Sequence, residues 1–259
     1  MFPFSDADVR HSSFPFVNVA IIGLNVLVFL YELGVGGLGM LFGDGNRELA
    51  FFFFKWGFIP LELTGGEVLT HPVFDVETPL PTSATLVSSM FIHGGLFHLA
   101  GNMMFLWVFG DNVEDRVGHV KYLIFYLVVG VAAALAHLAV DPDSRTPLVG
   151  ASGAISGVMG AYLLMFPFNR IKTLIVMYII TAIEIPVVWL LGLWFAWQLV
   201  QGLMSLGISQ QVNIAFFAHV GGFVSGVAIM AVYKLATGQP VLPRRDRPQP
   251  WDTWYRTRR

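Results

Sequence analysis

Val149-Gly150-Ala151-Ser152-Gly153-Ala154-Ile155-Ser156-Gly157 opens an apolar run that continues to Phe166. Seven of these nine positions hold small or polar side chains, a composition ill suited to facing lipid. Read as a helix, the stretch sets Ser152 and Ser156, and Gly153 and Gly157, in i, i+4 pairs on shared faces. Small residues at that spacing let neighbouring backbones approach closely inside a membrane. The stretch therefore predicts a tightly packed helix within a bundle, with the Ser152 hydroxyl near its start.

The composition places that helix in a membrane protein. Hydrophobic residues make up 55% of the 259 and charged residues 12%, against about 25% charged in an average soluble domain. There is no cysteine, which excludes disulfides and thiolate chemistry and leaves the redox compartment open. Apolar runs long enough to cross a bilayer predict an all-α, polytopic bundle of six transmembrane helices. They run from Phe16 to Tyr31, Phe91 to Gly110, Val120 to Val140, Val149 to Phe166, Pro186 to Leu206 and Ile214 to Leu235. The first reads as an uncleaved span, because no small-x-small cleavage site follows it.

Basic residues set the orientation. With a cytoplasmic N-terminus, twelve fall inside: Arg10, Arg116, Lys121, Arg170, Lys172, Lys234, Arg244, Arg245, Arg247, Arg256, Arg258 and Arg259. Three fall outside: Arg47, Lys55 and Arg145. That positive-inside bias predicts a multi-pass protein, taken to be of the cell (plasma) membrane, with both termini cytoplasmic. The chain divides into an N-terminal arm (1–15), a membrane domain (16–235) containing a long outer loop (34–89), and a basic tail (236–259) with the composition of disorder. The bias already explains the tail's arginines, so no nucleic-acid partner is expected.

Polar residues punctuate the spans. Asn18 and Asn25 in the first are read as hydrogen-bonding glue between helices. In the outer loop, Phe51-Phe52-Phe53-Phe54-Lys55-Trp56 is too short to span and is read as lying partly in the headgroup layer, the alternative being a loop with its own small core. His98 and Asn102 stand at i and i+4 near the start of the second span, whereas His93 is read as rotated away, nearer the water, and structural. Glu114 and Arg116 are expected to tie the inner turn down. The apolar segment Ile171 to Ile185 is read as lying at the inner interface, Glu184 included. In the sixth span, Gly222 and Gly226, and Gly221 and Ser225, repeat the small-xxx-small pattern around His219.

Helices two, four and six all run from outside to inside, so His98/Asn102, Ser152 and His219 share one depth in the outer half. Polar side chains in hydrocarbon are costly and face a bundle interior or a wet cavity. The glycine surfaces of helices four and six (Gly150, Gly153 and Gly157 against Gly222 and Gly226) would bring Ser152 within reach of His219. A serine hydroxyl becomes a nucleophile when a base takes its proton, and histidine is the usual base. No carboxylate stands at this depth, so the expected arrangement is a Ser-His dyad whose imidazole is oriented by packing. Asn102, His98 and the Ser152 N–H are candidate donors to an oxyanion. Ser156, one turn deeper, is read as packing.

The ordered set His93-x4-His98-x3-Asn102, Gly150-Ala151-Ser152-Gly153 and Ala218-His219-Val220-Gly221-Gly222 resembles the rhomboid intramembrane serine proteases, as does Gly110-x3-Glu114-x3-Gly118. The resemblance covers about Phe16 to Leu235. It implies Ser152 as nucleophile, His219 as general base, His98 and Asn102 as oxyanion donors, no cofactor or metal, and the fifth helix as a candidate gate for substrate. Where many members carry a Trp-Arg pair before the second span, this sequence has Pro81-Thr82-Ser83-Ala84-Thr85. The expected function is a serine endopeptidase acting on single-span transmembrane substrates in the lipid bilayer. Two rivals are a non-catalytic rhomboid-like protein that binds or escorts membrane clients, and a metal or proton site built from His93, His98 and His219. The oligomeric state is left open.

Overall fold

The computed structural model describes residues 2–8, 12–65, 81–176, 180–205 and 216–243. Part of the expected outer loop (66–80) and most of the basic tail (244–259) lie outside the described residues. The helices are α1 (Phe16–Gly36), α2 (Arg47–Trp56), α3 (Pro60–Gly65), α4 (Thr82–Ser88), α5 (Leu96–Val117), α6 (His119–Val140), α7 (Ser152–Met165), α8 (Val187–Ser205) and α9 (Phe216–Ala236). Three strands complete the described residues: β1 (Phe2–Asp6), β2 (Arg170–Val176) and β3 (Ile180–Pro186).

Each of the six expected apolar segments contains a helix, but the helices differ in reach. Among the described residues α1, α6, α8 and α9 are long and apolar enough to cross a membrane. A fifth candidate is the pair made of Thr82–Phe91 and α5, which bends by 84° at its break. Helix α7, at 14 residues, is only about 21 Å long at ~1.5 Å per residue, short of a hydrocarbon core of about 30 Å. Its residues from Ala154 to Tyr162 are all buried, because α5, α6, α8 and α9 pack around it. A helix enclosed by protein need not match the lipid.

One end of the bundle is held by a buried carboxylate. The first N–H groups of α1 have no acceptor within their own helix, and Glu114 of α5 supplies one: its oxygens accept from Val17 N–H at 2.9 Å and Asn18 N–H at 2.7 Å. The same carboxylate meets His119 Nδ1 at 2.5 Å, across the turn at Gly118. Asn18 then donates to the Leu106 carbonyl and accepts from Tyr122 Oη–H. The expected Glu114–Arg116 tie is therefore corrected. Glu114 clasps α1, and the Arg116 guanidinium lies over the Phe166 ring, 5.3 Å from its centroid. At this same end Lys234 of α9 donates to the Leu164 carbonyl at the end of α7, and Lys121 lies over Tyr233.

The sheet departs from a purely helical chain. The segment expected at the inner interface supplies strands: β2 and β3 pair antiparallel, and β1 from the N-terminal arm adds to the other edge of β2. Ile171 and Thr173 are buried with Lys172 exposed between them, the period-two alternation of a half-buried strand, built here from β-branched residues. Asp6 accepts from Tyr162 Oη–H and from Asn169 Nδ2, which anchors β1 beneath α7. Glu184 pairs with Arg170 at 2.9 Å, outside the apolar core.

At the opposite end Met40 and Leu49 of the outer loop form a small second cluster with Phe29 of α1 and Leu99 of α5, so the loop shares its core with the bundle. Asn46 caps α2 by accepting from Leu49 N–H at 2.8 Å. His93 is not near the water. It is fully buried, its backbone N–H donates to the Glu32 carboxylate of α1 at 3.2 Å, and its ring meets His98 edge-on at 5.1 Å. The helix expected to carry it begins only at Leu96, after Gly95.

Candidate active site

Ser152 is the first residue of α7, and the backbone before it is shaped by Gly150. Gly150 has φ of 123°, a region that L side chains rarely adopt. A Cβ there would also stand 2.8 Å from His98 Cε1 and Nε2. The Gly150 N–H donates to the Ser89 carbonyl at 2.9 Å, fixing the approach of the chain to the helix. The first intrahelical bond of α7 runs from Ile155 N–H to the Ala151 carbonyl. The N–H groups of Ser152 and Gly153 precede it and have no intrahelical acceptor.

Two helices then bring the serine and the histidine together. A Cβ on Gly222 of α9 would stand 3.1 Å from the Gly153 carbonyl carbon, and one on Gly226 would stand 2.6 Å from that of Gly157. On the α7 side, a Gly157 Cβ would lie 2.6 Å from Val129 of α6 and 3.1 Å from the Gly222 oxygen. Backbone thus lies against backbone along this seam, a distance that only glycine permits. At the end of the seam His219 Nε2 lies 2.7 Å from Ser152 Oγ.

The far side of the imidazole is also engaged. His219 Nδ1 lies 2.8 Å from Gln198 Oε1 of α8, and the Trp194 ring, also on α8, sits at 6.1 Å and 38° to the imidazole. The orientation expected to come from packing alone therefore has a hydrogen-bonding partner, which the sequence reading missed. The available signal was that Gln198 and Gln201 are the amides of an otherwise apolar helix. Ser156 is spent elsewhere, its Oγ donating to the Ser152 carbonyl at 2.6 Å.

His98 and Asn102 face this pair from α5. Gly94 N–H donates to His98 Nδ1 at 3.4 Å, which leaves the proton of the neutral ring on Nε2, the atom beside Gly150. Asn102 is buried, and its Nδ2 finds no hydrogen-bond partner among the described residues, though it would lie 3.7 Å from a Gly150 Cβ. Both side chains thus offer N–H groups to the space beside Gly150. A cavity of about 20 Å³ lies beside Ser152, lined by Ser89, Met90, Gly130, Gly150 and Ser152 among others. Among the described residues no group of three or more His, Asp or Glu side chains could hold a metal ion. His93 and His98 are neighbours, but they do not assemble with His219 into such a group.

The sequence has counterparts among known proteins. A family profile described as the Rhomboid domain matches residues 82–235, more than half of the chain. The chain belongs to the rhomboid family. It is similar to Rhomboid protease GluP of Bacillus subtilis (strain 168), 28% identical over 230 residues, which are 85% of this chain and 42% of that protein. It is similar to RHOMBOID-like protein 1 of Arabidopsis thaliana, 25% identical over 250 residues, 91% of this chain and 58% of that one. Rhomboid protein 1, mitochondrial, of Saccharomyces cerevisiae (strain ATCC 204508 / S288c) is 27% identical over 148 residues, covering 55% and 40%. The chain spans between about two fifths and three fifths of the length of these relatives. A multi-pass integral membrane protein is the form that this rhomboid membership and the four to five candidate spans support. The family match begins at Thr82, so it includes every residue from His98 to His219 described above and leaves α1 and α2 outside.

Proposed function

We propose that this rhomboid-family chain is a serine endopeptidase that hydrolyses peptide bonds of single-span transmembrane proteins within the bilayer. The observation that carries the reading is the 2.7 Å contact between Ser152 Oγ and His219 Nε2, made between two helices whose glycines let their backbones touch. A packing serine has no need of an imidazole acceptor, and a client-binding protein has no need of the pair.

The chemistry follows from the groups present. His219 Nε2 accepts the hydroxyl proton as Ser152 Oγ attacks the scissile carbonyl carbon. The carbonyl oxygen gains negative charge, and donors already in position stabilise it: His98 Nε2–H, Asn102 Nδ2–H and the Ser152 N–H. The imidazolium returns its proton to the leaving amine, which departs and leaves an ester on Ser152. Water attacks that ester with His219 again as base, releasing the acid and restoring the serine. The substrate must present an unwound segment, because helical hydrogen bonds shield its carbonyls. Gly, Pro or other weak helix formers near the cut favour this.

The same reading makes α7 a sixth, short span enclosed by the others, and takes 16–235 as the protease domain. The end of the bundle carrying Arg116, Lys121 and Lys234 is then cytoplasmic, with both termini on that side and the serine in the outer half of a plasma membrane.

The test is labelling by a serine-directed fluorophosphonate of the purified protein in detergent, together with cleavage of a transmembrane substrate. Wild type should label and cleave, and Ser152→Ala should do neither while remaining folded. Cleavage retained by Ser152→Ala would remove the nucleophile assignment. Absence of any Ser152-dependent labelling would favour the client-binding alternative.

A further inference from the structure

We propose that Gln198 is a positioning residue that sets the tautomer and orientation of His219, making the serine's readiness depend on the seat of α8. The inference rests on the reading of Ser152 and His219 as a dyad. It assigns the dyad a third member, on the helix that the family resemblance marks as a gate.

The proton inventory carries the argument. For His219 Nε2 to take the Ser152 proton it must be the bare nitrogen, so the neutral ring must hold its proton on Nδ1. That N–H points into a region between apolar helices, where an unpaired donor is costly. Gln198 Oε1 lies 2.8 Å from Nδ1, within normal hydrogen-bond range, and accepts this proton. Without an acceptor there, the other tautomer gains ground. With the proton on Nε2, the ring faces Ser152 as a donor and cannot act as its base. An amide does this without placing a charge in hydrocarbon, where a carboxylate at the same position would be costly unless paired.

The placement of Gln198 links this contact to helix motion. Helix α8 is held lightly: Val187 and Leu191 near its start and Gly202 near its end are buried, whereas Trp189, Leu193, Trp197, Val200 and Leu203 are exposed. Its contacts with α9 near His219 are the Gln198 bond, the Trp194 ring and the packing of Phe195 on Phe223 at 4.8 Å. His219 belongs to α9, which is locked to α7 by the glycine seam, so outward displacement of α8 removes Gln198 while leaving Ser152 and His219 together. The dyad would keep its geometry and lose its tautomer control.

The test compares Gln198→Leu and Gln198→Glu with wild type, reading fluorophosphonate labelling rate against pH in detergent. Gln198→Leu keeps the bulk and removes the acceptor, and labelling should slow about 10-fold, the scale of one net hydrogen bond. Gln198→Glu keeps an acceptor for Nδ1–H, and its charge favours the imidazolium. Labelling should therefore approach the wild-type rate at high pH, with the acid limb of the profile moved to higher pH. A side chain that does not touch Nδ1 would not move that limb, and one that filled space alone would not keep the high-pH rate in Gln198→Glu while losing it in Gln198→Leu. Labelling of Gln198→Leu within two-fold of wild type, or an unmoved acid limb in Gln198→Glu, overturns the proposal. Should Gln198→Leu fail to fold, the Gln198→Glu profile decides alone. Wild type labelling no faster than Ser152→Ala is a different outcome, which removes the dyad reading and this proposal with it.

Discussion

Gly226→Ala should disable the proposed dyad from two helical turns away. The methyl group would stand 2.6 Å from the Gly157 carbonyl carbon and 2.7 Å from its Cα, where ordinary contact begins at 3.4 Å. The atoms it meets are backbone, so no side chain can rotate aside. The Gly157 carbonyl oxygen lies closer still, so helices α7 and α9 must part by more than about 0.8 Å at that level. If His219 shares that displacement, its 2.7 Å contact with Ser152 stretches beyond about 3.5 Å, outside hydrogen-bond range. Misplacement of reacting groups by about 1 Å can cost ~10²-fold, so kcat/KM on a transmembrane substrate should fall by about two orders of magnitude. Gly23→Ala on α1 is the control, because nothing lies within 4 Å of its added Cβ. Helix propensity alone makes that change neutral or mildly stabilising. The assay is initial cleavage rate in detergent for both variants, with thermal unfolding recorded alongside. Activity of Gly226→Ala within about three-fold of wild type would refute the idea that backbone contact along this seam sets the dyad distance.

The other expectations use the same structure. Gly153→Ala should also impair cleavage, because its Cβ would lie 2.7 Å from that of Ala133; here the obstacle is a side chain, so Gly153→Ala with Ala133→Gly should recover most of the rate. Asn102→Ala should lower kcat up to ~10²–10³-fold, the cost of one oxyanion donor, and an unchanged rate would remove Asn102 from the site. Glu114→Ala leaves the buried N–H groups of Val17 and Asn18 without their acceptor, and should destabilise by about 3 kcal/mol, read as a lowered unfolding midpoint with Glu114→Gln between it and wild type. The cavity beside Ser152 is about 20 Å³, near the room of one water. Substrates with Ala or Gly at the cleaved residue should therefore outcompete those with Leu, and Met90→Ala should narrow that preference in a competition assay.

What could be read in the sequence was whatever repeats at helical spacing within an apolar run. Gly153, Gly157, Gly222 and Gly226 announce close packing by their i, i+4 intervals, and Ser152, His219 and Asn102 stand out as polar groups in helices that exclude them. The apolar helices were legible for the same reason. What escaped depends on partners far away in the chain or on breaks in the backbone. His93 was given a direction by counting helical turns back from His98, but the helix begins only at Leu96, after Gly95, and the buried His93 ring packs edge-on against His98 instead. The apolar segment after Arg170 reads as apolar without regard to secondary structure, and it is the pairing of β2 with β3 on one edge and with Phe2–Asp6, more than 160 residues earlier, on the other that makes it strand. Glu114 sits two positions from an arginine, yet its acceptors' need is met 97 residues away at Val17.

Gln198 illustrates the same limit within the site itself. Gln198 and Gln201 lie three residues apart on one apolar helix, so spacing alone gives neither priority. What selects Gln198 is the rotation of α8 against α9, fixed by Trp194 and Phe195 packing on His219 and Phe223. The proposed dyad, legible from two helices, therefore acquires its proposed third partner from a helix whose contribution becomes visible only once it is docked. For that reason the state of α8, more than the identity of Ser152 and His219, is where control of this site should be sought.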